Sequence, residues 1–269
     1  METKITARRR LDAELVRRHL SRSREAARLL IVAGHVQVGG FVITKAASMV
    51  SDADSIVVAA ELEPHYASRG AHKLLGALDA FVDVEVSELS CLDAGASTGG
   101  FTDVLLTRGA ATVLAVDVGY GQLVSPLAND ERVVVFDRLN ARHLQLTDLP
   151  HRADLTVADL SFISLRLVLP ALARVTASDG QMLVMVKPQF EVGKDRLGRG
   201  GVVRDPQLRS QVVESVAHSA YAEGWGTAGV VASPLPGPQG NVEYFLWLRR
   251  DAGPAQLSVI NQAVKAGPI

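Results

Sequence analysis

The sequence predicts an α/β fold: a doubly wound, mainly parallel sheet with an antiparallel last strand, preceded by a small N-terminal α+β domain. Short apolar runs alternate with helical patterns after residue 90, which is typical of strands buried on both faces of a parallel sheet. The last run follows "SPLPGPQG", a connection with three prolines and no room for a crossover helix, so we expect its strand to pair antiparallel. The first 60 residues differ from the rest in pattern and in charge.

The N-terminal segment predicts two helices followed by short strands. Leucine and alanine recur at helical spacing through residues 10–33, and strand-like runs follow at 35–40, 41–43 and 55–59. Residues 1–60 hold ten Lys and Arg against six Asp and Glu, a net charge of +4 in a chain whose total is −1. This asymmetry indicates a nucleic-acid contact, and a solvated charged helix face is the alternative. The candidate contact residues are Arg8, Arg9, Arg10, Arg17, Arg18, Arg22, Arg24 and Arg28.

The pattern divides the chain into a domain at 1–60, a linker at 61–67 and a second domain at 68–269. Pro64 in the linker disfavours a helix immediately before it. The strands predicted in the second domain are 90–94, 112–118, 132–136, 154–160, 181–187, 227–233 and 241–249. The predicted helices are 68–81, 100–108, 163–175 and 206–223, and the tail at 255–265 is either a last helix or a loose segment.

Composition excludes several classes of protein. Cys91 is the only cysteine, so an internal disulfide and a cysteine-spaced zinc site are excluded, and we predict no metal site. The basic N-terminus is not followed by the apolar stretch of a signal peptide. No apolar run approaches the length that crosses a bilayer. We therefore expect a soluble, cytoplasmic protein with no stable membrane association.

The stretch "CLDAGASTGGFTD", residues 91–103, predicts a strand, a glycine-rich turn and the start of a helix. Gly95 lets the chain turn sharply, and Gly99 and Gly100 let a ligand approach the backbone. Asp93 lies near the end of this strand and Asp117 near the end of the next. A carboxylate at the second position can accept hydrogen bonds from a ribose diol. The sequence therefore predicts a nucleotide-like cofactor at this turn.

The loop favours S-adenosylmethionine over NAD or a nucleoside triphosphate. Its spacing is not G-x-x-x-x-G-K-[ST], and no lysine is placed to hold a β-phosphate. The acids beside the loop would repel a pyrophosphate but suit a cationic sulfonium. The alternative is a glycine-rich turn that binds no ligand. Asp137 and Asn140 are alternative candidates to face the adenine. The predicted cofactor-binding residues are Asp93, Gly95, Ala96, Ser97, Thr98, Gly99, Gly100, Phe101, Asp117 and Asn140.

A second charged group is predicted at the carboxyl edge of the sheet, where open α/β sheets bind their ligands. Lys187 ends the fifth strand in "QMLVMVKPQFEVG", and Asp159 ends the fourth in "TVADLSF". Glu243 lies near the start of the antiparallel last strand, and Lys73 lies on the helix before the first strand. Two lysines and two carboxylates are therefore predicted to converge. Each has a structural alternative when it is taken alone: a solvated lysine, a helix cap at Asp159, or a surface strand residue at Glu243.

These four residues suit methyl transfer to a ribose 2′-hydroxyl, which must lose its proton as it attacks. A lysine acts as a general base only in its neutral form, which a second lysine and the sulfonium charge favour. We predict that Lys187 is the base, that Asp159 orients it, and that Glu243 holds Lys73.

The four residues match the K-D-K-E tetrad of FtsJ-like ribose 2′-O-methyltransferases, and "DAGASTGGFTD" resembles their cofactor motif. Residues 10–55 resemble an S4 RNA-binding domain. The combination of an S4-like domain and an FtsJ-like domain in one chain resembles the TlyA family, whose members are described as hemolysins and as rRNA methyltransferases. The same family is resembled by four short stretches: "SRGAHKL", "ADLSFISL", "VKPQFE" and "GNVEYF". The resemblance implies S-adenosylmethionine-dependent methylation of the 2′-hydroxyl of cytidine in 16S and/or 23S rRNA, with ribosomal RNA or ribosomal subunits as the partner.

The segment "EVGKDRLGRGGVVRDP", residues 191–206, leaves directly from the predicted base. Its glycines and basic residues suit a mobile loop that closes over RNA phosphates, and an ordinary solvated loop is the alternative. The candidate RNA-binding residues here are Lys194, Arg196, Arg199 and Arg204.

Three other functions compete with this prediction. A membrane-active hemolysin requires an amphipathic or spanning segment, and the sequence indicates neither. An RNA-binding protein with an inactive catalytic domain conflicts with the intact tetrad. A methyltransferase for small molecules or proteins leaves the basic N-terminal domain without a role.

Overall fold

The computed structural model describes residues 8–21, 23–32, 34–58, 66–237 and 239–268. Contacts within the chain divide it into two compact units, Met1–His65 and Tyr66–Ile269. The boundary between the units falls inside the predicted linker at 61–67, whose first five residues lie outside the described residues.

The first unit consists of two short helices and small antiparallel sheets. Its helices are α1 (Leu11–Arg17) and α2 (Arg24–Val32), and its strands are β1 (Arg9–Arg10), β2 (Val36–Val38), β3 (Phe41–Val42), β4 (Met49–Val50) and β5 (Ile56–Val58). Strand β1 pairs with β4, and β2 lies between β3 and β5. The core is formed by Leu11, Leu15, Ala27, Ile31, Val36 and Val50. The two predicted helices are confirmed, whereas β1 and β4 were not predicted because two residues are too few to show an alternation.

The second unit contains one seven-stranded sheet in the order β11-β12-β10-β9-β6-β7-β8. The strands are β6 (Ser90–Ala94), β7 (Thr112–Asp117), β8 (Val133–Asp137), β9 (Ala153–Ala158), β10 (Thr176–Val186), β11 (Gly226–Ala232) and β12 (Tyr244–Arg249). The helices are α3 (Ala71–Ala80), α4 (Gly100–Thr107), α5 (Ser125–Ala128), α6 (Leu169–Val175), α7 (Pro188–Glu191), α8 (Pro206–Ala222) and α9 (Leu257–Ala266). Strands β6 to β10 pair parallel with their neighbours, and β12 pairs antiparallel with both β10 and β11. The predicted mainly parallel sheet with an antiparallel last strand is confirmed.

Several predicted boundaries are wrong, each for a local reason. The predicted helix 163–175 is a 3₁₀ turn at Leu165–Leu167 followed by α6. Pro170 lies in the first turn of α6, where its missing N–H is tolerated, and it would break a helix that began earlier. Strand β10 begins five residues before the predicted position, across an irregularity in its pairing with β9 between Thr176 and Gln181. The tail at 255–265 contributes to α9.

Apolar residues cover both faces of the sheet because the strands alternate between two cores. In β10, Met182, Val184 and Val186 face one core, and Leu183 and Met185 face the other. This alternation explains why the strand is apolar along its length. None of the helices formed by the described residues has both the length and the apolar character needed to cross a bilayer.

Glu14, a buried carboxylate on α1 of the first unit, pairs with two arginines of the same unit. The Glu14 side chain is fully buried and accepts hydrogen bonds from Arg17 at 2.5 and 2.8 Å and from Arg18 at 2.7 Å. The Arg17 guanidinium lowers the pKa of Glu14 from its usual 4.5 to about 2. A lowered carboxyl pKa means that this interaction stabilises the fold fully above about pH 4.5 and is lost as the pH falls towards 2.

We predict that Glu14→Gln opens the first unit more often, because Arg18 loses its buried carboxylate partner and Arg17 keeps only Asp52. Amide exchange in α1 should become about 5- to 30-fold faster near pH 7. The difference from the wild type should shrink as the pH falls from about 4.5 towards 2. Hydrogen exchange is the suitable probe, since both tryptophans lie in the second unit.

The matched control is Glu25→Gln, which removes an exposed carboxylate from the first turn of α2. Exchange in α1 should be unchanged in that variant. Equal exchange rates in Glu14→Gln and the wild type near pH 7 would contradict the stabilising role of Glu14.

Candidate active site

Two lysine–carboxylate ion pairs lie at the carboxyl edge of the sheet: Lys73–Glu243 is buried, and Lys187–Asp159 is partly exposed on the aspartate side. The Nζ atom of Lys187 is 2.6 Å from Oδ1 of Asp159, and the Nζ atom of Lys73 is 2.6 Å from Oε2 of Glu243. All four residues were predicted to converge, and the fold brings them together as these two pairs.

The strand pairing explains the arrangement. Asp159 directly follows β9, and Lys187 directly follows β10, its parallel neighbour. Because β12 is antiparallel, its first residue, Tyr244, lies opposite Val186 at the end of β10. Glu243 therefore lies at the same edge as Lys187, one residue before β12 begins, although the predicted strand 241–249 included it. Helix α3 contributes Lys73 from outside the sheet.

Burial makes the two pairs obligatory. The exposed fraction is 5% for Lys73, 8% for Lys187 and 0% for Glu243. A lysine removed from water is costly unless an opposite charge lies beside it. Each ammonium group here has its own carboxylate, so the two charges of each pair compensate each other.

Two further polar side chains contact the ion pairs, and neither was predicted. Lys187 Nζ donates a hydrogen bond to Ser161 Oγ at 2.9 Å. Gln189, on α7, donates from Nε2 to Glu243 Oε1 at 3.3 Å. Both lie two residues from a predicted tetrad member, in "ADLSFISL" and "VKPQFE". Their proximity in sequence was the available signal, but serine and glutamine are too common in loops for it to stand out.

The glycine-rich loop between β6 and α4 packs directly against the segment that carries Asp159. Gly95 has φ +90°, and a Cβ atom there would lie 2.7 Å from the backbone oxygen of Asp159. The Asp159 N–H in turn donates to the Ala94 carbonyl at 3.1 Å. Gly99 has φ +102° just before α4 begins. Both positions favour glycine, and the close approach fixes the loop relative to the Lys187–Asp159 pair.

Two carboxylates border this loop in different environments. Asp93 is fully buried; its Oδ2 accepts a hydrogen bond from Thr102 Oγ1 at 2.7 Å, and its Oδ1 has no partner among the described residues. The pKa of Asp93 is raised to about 7: burial is the main cause, the charges of Asp159 and Asp117 add to it, and the hydrogen bonds from Thr102 oppose it. Asp117 is held by the backbone N–H groups of Ser97 at 2.8 Å and Gly119 at 2.7 Å.

These features fit a small ligand that is cationic or donates hydrogen bonds. The unpartnered Oδ1 of Asp93 can accept another hydrogen bond. The three carboxylates of Asp93, Asp117 and Asp159 favour positive charge. Gly95 lies against the backbone of Asp159 and Gly99 lies against Leu123 and Leu127, so these two glycines set the path of the loop.

Other predicted cofactor residues lie in varied surroundings. Ala96, Ser97 and Thr98 form the loop itself, and Gly100 begins α4. Phe101 is buried and stacks on Phe245 with ring centroids 6.1 Å apart, so its side chain belongs to the core beneath the loop. Asn140 is exposed, and its Oδ1 accepts a hydrogen bond from the Arg142 N–H at 3.0 Å, which caps a 3₁₀ turn.

Many predicted basic residues of the first unit are paired with acids of the same unit. Arg9 donates to Asp52 at 3.0 Å, and Asp12 accepts from Arg10 at 2.8 Å and from Arg24 at 3.1 Å. The sequence gives no sign of the Arg9–Asp52 pair, because these residues are 43 positions apart. Their arginines therefore carry less free positive charge than their number indicates.

Arg18 has a structural role beyond its pairing with Glu14. It donates to the backbone oxygens of Ser51, Asp52 and Asp54 at 2.9–3.3 Å, which fixes that turn. Arg8 and Arg28, in contrast, have exposed side chains. Arg22 lies outside the described residues.

The basic segment after Lys187 is anchored at its far end. Asn241 is buried; its Oδ1 accepts from the Val203 N–H at 2.9 Å, and its Nδ2 donates to the Gly201 carbonyl at 2.9 Å. Arg196 donates from Nε to the Val192 carbonyl at 3.1 Å, and Arg204 is exposed. The side chains of Lys194 and Arg199 lie outside what the structure describes.

Known proteins match this chain along almost its whole length. The FtsJ-like methyltransferase family model matches residues 66–250, and the S4 domain model matches residues 9–56. The 16S/23S rRNA (cytidine-2′-O)-methyltransferase TlyA of Mycobacterium tuberculosis (strain H37Rv) is 55% identical over 98% of this chain and 100% of its own length.

Two other similar proteins carry hemolysin names. Hemolysin A of Brachyspira hyodysenteriae is 36% identical over 88% of this chain and 98% of its own length. A solved structure of a Streptococcus thermophilus protein named as a hemolysin is 35% identical, with a TM-score of 0.74, over 97% of this chain and 95% of that one.

The chain matches an S4 domain followed by an FtsJ-like methyltransferase domain, and it is 55% identical to a TlyA methyltransferase along almost its whole length. This protein therefore belongs to the TlyA family of methyltransferases.

Proposed function

We propose that this enzyme transfers a methyl group from S-adenosylmethionine to the 2′-hydroxyl of cytidine in 16S and/or 23S rRNA, with Lys187 as the general base. The observation that carries the proposal is the pair of buried lysine–carboxylate contacts beside the glycine-rich loop. Lys187 would become a proton acceptor once its ammonium group has released a proton, and it lies next to a position suited to a cationic ligand.

The substrate class is supported by the family and by the first unit. The relative that is 55% identical is named as a 16S/23S rRNA (cytidine-2′-O)-methyltransferase. The S4 domain match covers the basic first unit, where Arg8 and Arg28 are exposed. Phosphate contacts from such residues would orient the RNA without reading its sequence. The hemolysin names of two relatives identify no residue of this chain, so lysis is not part of the proposal.

The cofactor is supported by the residues that border the loop. Asp117 would accept hydrogen bonds from the ribose of the cofactor, and Asp93 Oδ1 would accept one more hydrogen bond from the ligand. Gly95 and Gly99 would fix the path of the loop that holds the ligand, because both have positive φ values that favour glycine. When bound, S-adenosylmethionine supplies the methyl group on a sulfonium. Its positive charge would be balanced by the carboxylates around the loop.

The four tetrad residues would have separate roles in proton transfer. Lys187 would take the proton of the 2′-hydroxyl as its oxygen attacks the methyl carbon. Asp159, 2.6 Å from Lys187 Nζ, would hold the amine in one orientation. Glu243 would hold Lys73 in place at the same sheet edge. Holding the hydroxyl oxygen in line with the methyl carbon and the departing sulfur would supply much of the remaining acceleration.

We predict that Lys187→Ala reduces kcat by at least about 100-fold, because a positioned general base contributes about that much or more. The affinity for S-adenosylmethionine should change little, since Lys187 lies outside the glycine-rich loop. The measurements are methyl transfer to ribosomal subunits and calorimetric binding of the cofactor. Mapping of 2′-O-methyl marks on the product RNA identifies the methylated atom.

Lys265→Ala is the control, because Lys265 is an exposed lysine on α9. It should keep wild-type kcat. Undiminished turnover by Lys187→Ala, or a methyl mark on a base, would refute the proposed chemistry.

We also predict that Arg8→Gln and Arg28→Gln each weaken RNA binding and flatten its salt dependence. Each lost phosphate contact reduces the slope of log K against log salt by about 1. Titrations of ribosomal RNA at several salt concentrations measure this slope. The control is Arg108→Gln, which lies at the end of α4 remote from the loop and pairs with Asp79. An unchanged slope in both N-terminal variants would count against the first unit as the RNA contact.

A further inference from the structure

We propose that Ser161 is the proton exit of the site: its hydroxyl accepts a proton from Lys187 and releases its own proton to water. This inference rests on the proposed function, in which Lys187 is the general base. It assigns a residue that the tetrad does not include.

The geometry gives Lys187 two polar contacts with different access to water. Its Nζ atom is 2.6 Å from Asp159 Oδ1 and 2.9 Å from Ser161 Oγ. Lys187 itself is 8% exposed, whereas Ser161 is exposed. The serine hydroxyl therefore joins a nearly buried amine to the solvent.

A base that works repeatedly must lose the proton it has gained. When the 2′-oxygen bonds to the methyl carbon, the bond between that carbon and sulfur breaks and its electron pair stays on sulfur. The hydroxyl proton then resides on Lys187 as the third N–H of an ammonium group. Regeneration requires that one N–H proton moves to an acceptor and finally to water or a buffer base.

A hydroxyl is suited to this step because it accepts and donates at the same time. Ser161 Oγ accepts the proton from Lys187 Nζ as its own O–H proton passes to water, so the serine is unchanged at the end. Glu243 is an unsuitable route, since it is fully buried and already accepts from Lys73 and Gln189. Asp159 is partly exposed and is the competing route.

The loop that carries Ser161 is fixed by a buried carboxylate on α7. Glu191 accepts hydrogen bonds from Ser164 Oγ at 2.6 Å, from the Leu165 N–H at 2.5 Å and from Arg166 Nε at 3.2 Å. Helix α7 begins directly after Lys187. Glu191 therefore fixes the loop that carries Ser161 relative to the segment that carries Lys187. This keeps Lys187 Nζ in contact with Ser161 Oγ.

The test compares the first turnover with later turnovers in Ser161→Ala. In enzyme molecules whose Lys187 is neutral at the start, the first turnover should proceed at the wild-type rate. The steady-state rate should fall by about 100-fold, the lower end of what a positioned proton-transfer group contributes. Added imidazole, a small buffer base, should raise the steady-state rate of this variant but not that of the wild type. Ser161→Thr, which keeps the hydroxyl, should cycle normally.

The control is Ser258→Ala, an exposed serine on α9, which should behave as the wild type. Wild-type cycling by Ser161→Ala at every imidazole concentration would overturn the proposal and leave Asp159 as the route. Equal slowing of the first and later turnovers, without response to imidazole, would also overturn it, because Ser161 would then only position the lysine. If Lys187→Ala retains activity, both the proposed function and the role of Ser161 fail. If Ser161→Ala behaves as the wild type while Lys187→Ala is inactive, only the role of Ser161 fails and the proposed function stands.

Discussion

The site depends on one constraint: two lysines are buried at one sheet edge, and each needs its own carboxylate. Lys187 pairs with Asp159, and Lys73 pairs with Glu243. Without its carboxylate, either lysine would be an uncompensated charge in a nearly dry place. The antiparallel direction of β12 meets this need, because it brings the start of the strand, and with it Glu243, to the edge where β9 and β10 end.

The same edge couples the cofactor loop to the proposed base. Gly95 approaches the backbone oxygen of Asp159 so closely that only glycine fits, and the Asp159 N–H donates to Ala94. A shift of the loop would therefore move Asp159, and with it the partner of Lys187. A methyl group held by the loop and an amine held by Asp159 would share one rigid frame, which is what an in-line transfer requires.

The fold and the positions of Asp159, Lys187 and Glu243 could be predicted from sequence because they depend on strong local signals, whereas Lys73 lies inside helix α3 and contacts Glu243 from 170 residues away. Continuous apolar runs indicate buried strands, and charged residues that end such runs must lie at the sheet edge. Ser161, Gln189 and Glu191 could not be predicted in the same way, since their importance arises from contacts between loops. The arginine pairs of the first unit were missed for a related reason: Arg17 reaches Asp52 only after the unit has folded. Phe101 lies in the loop motif, but the helix turns its ring into the core.

A double-mutant cycle on Lys73 and Glu243, with methylation rate as the readout, tests the central constraint most directly. Lys73→Met and Glu243→Gln should each slow methylation strongly, because each leaves a buried group without its partner. If the pair acts as a unit, the double variant should be little slower than the slower single variant. Effects that multiply in the double variant would show that the two residues act independently, which would contradict the account.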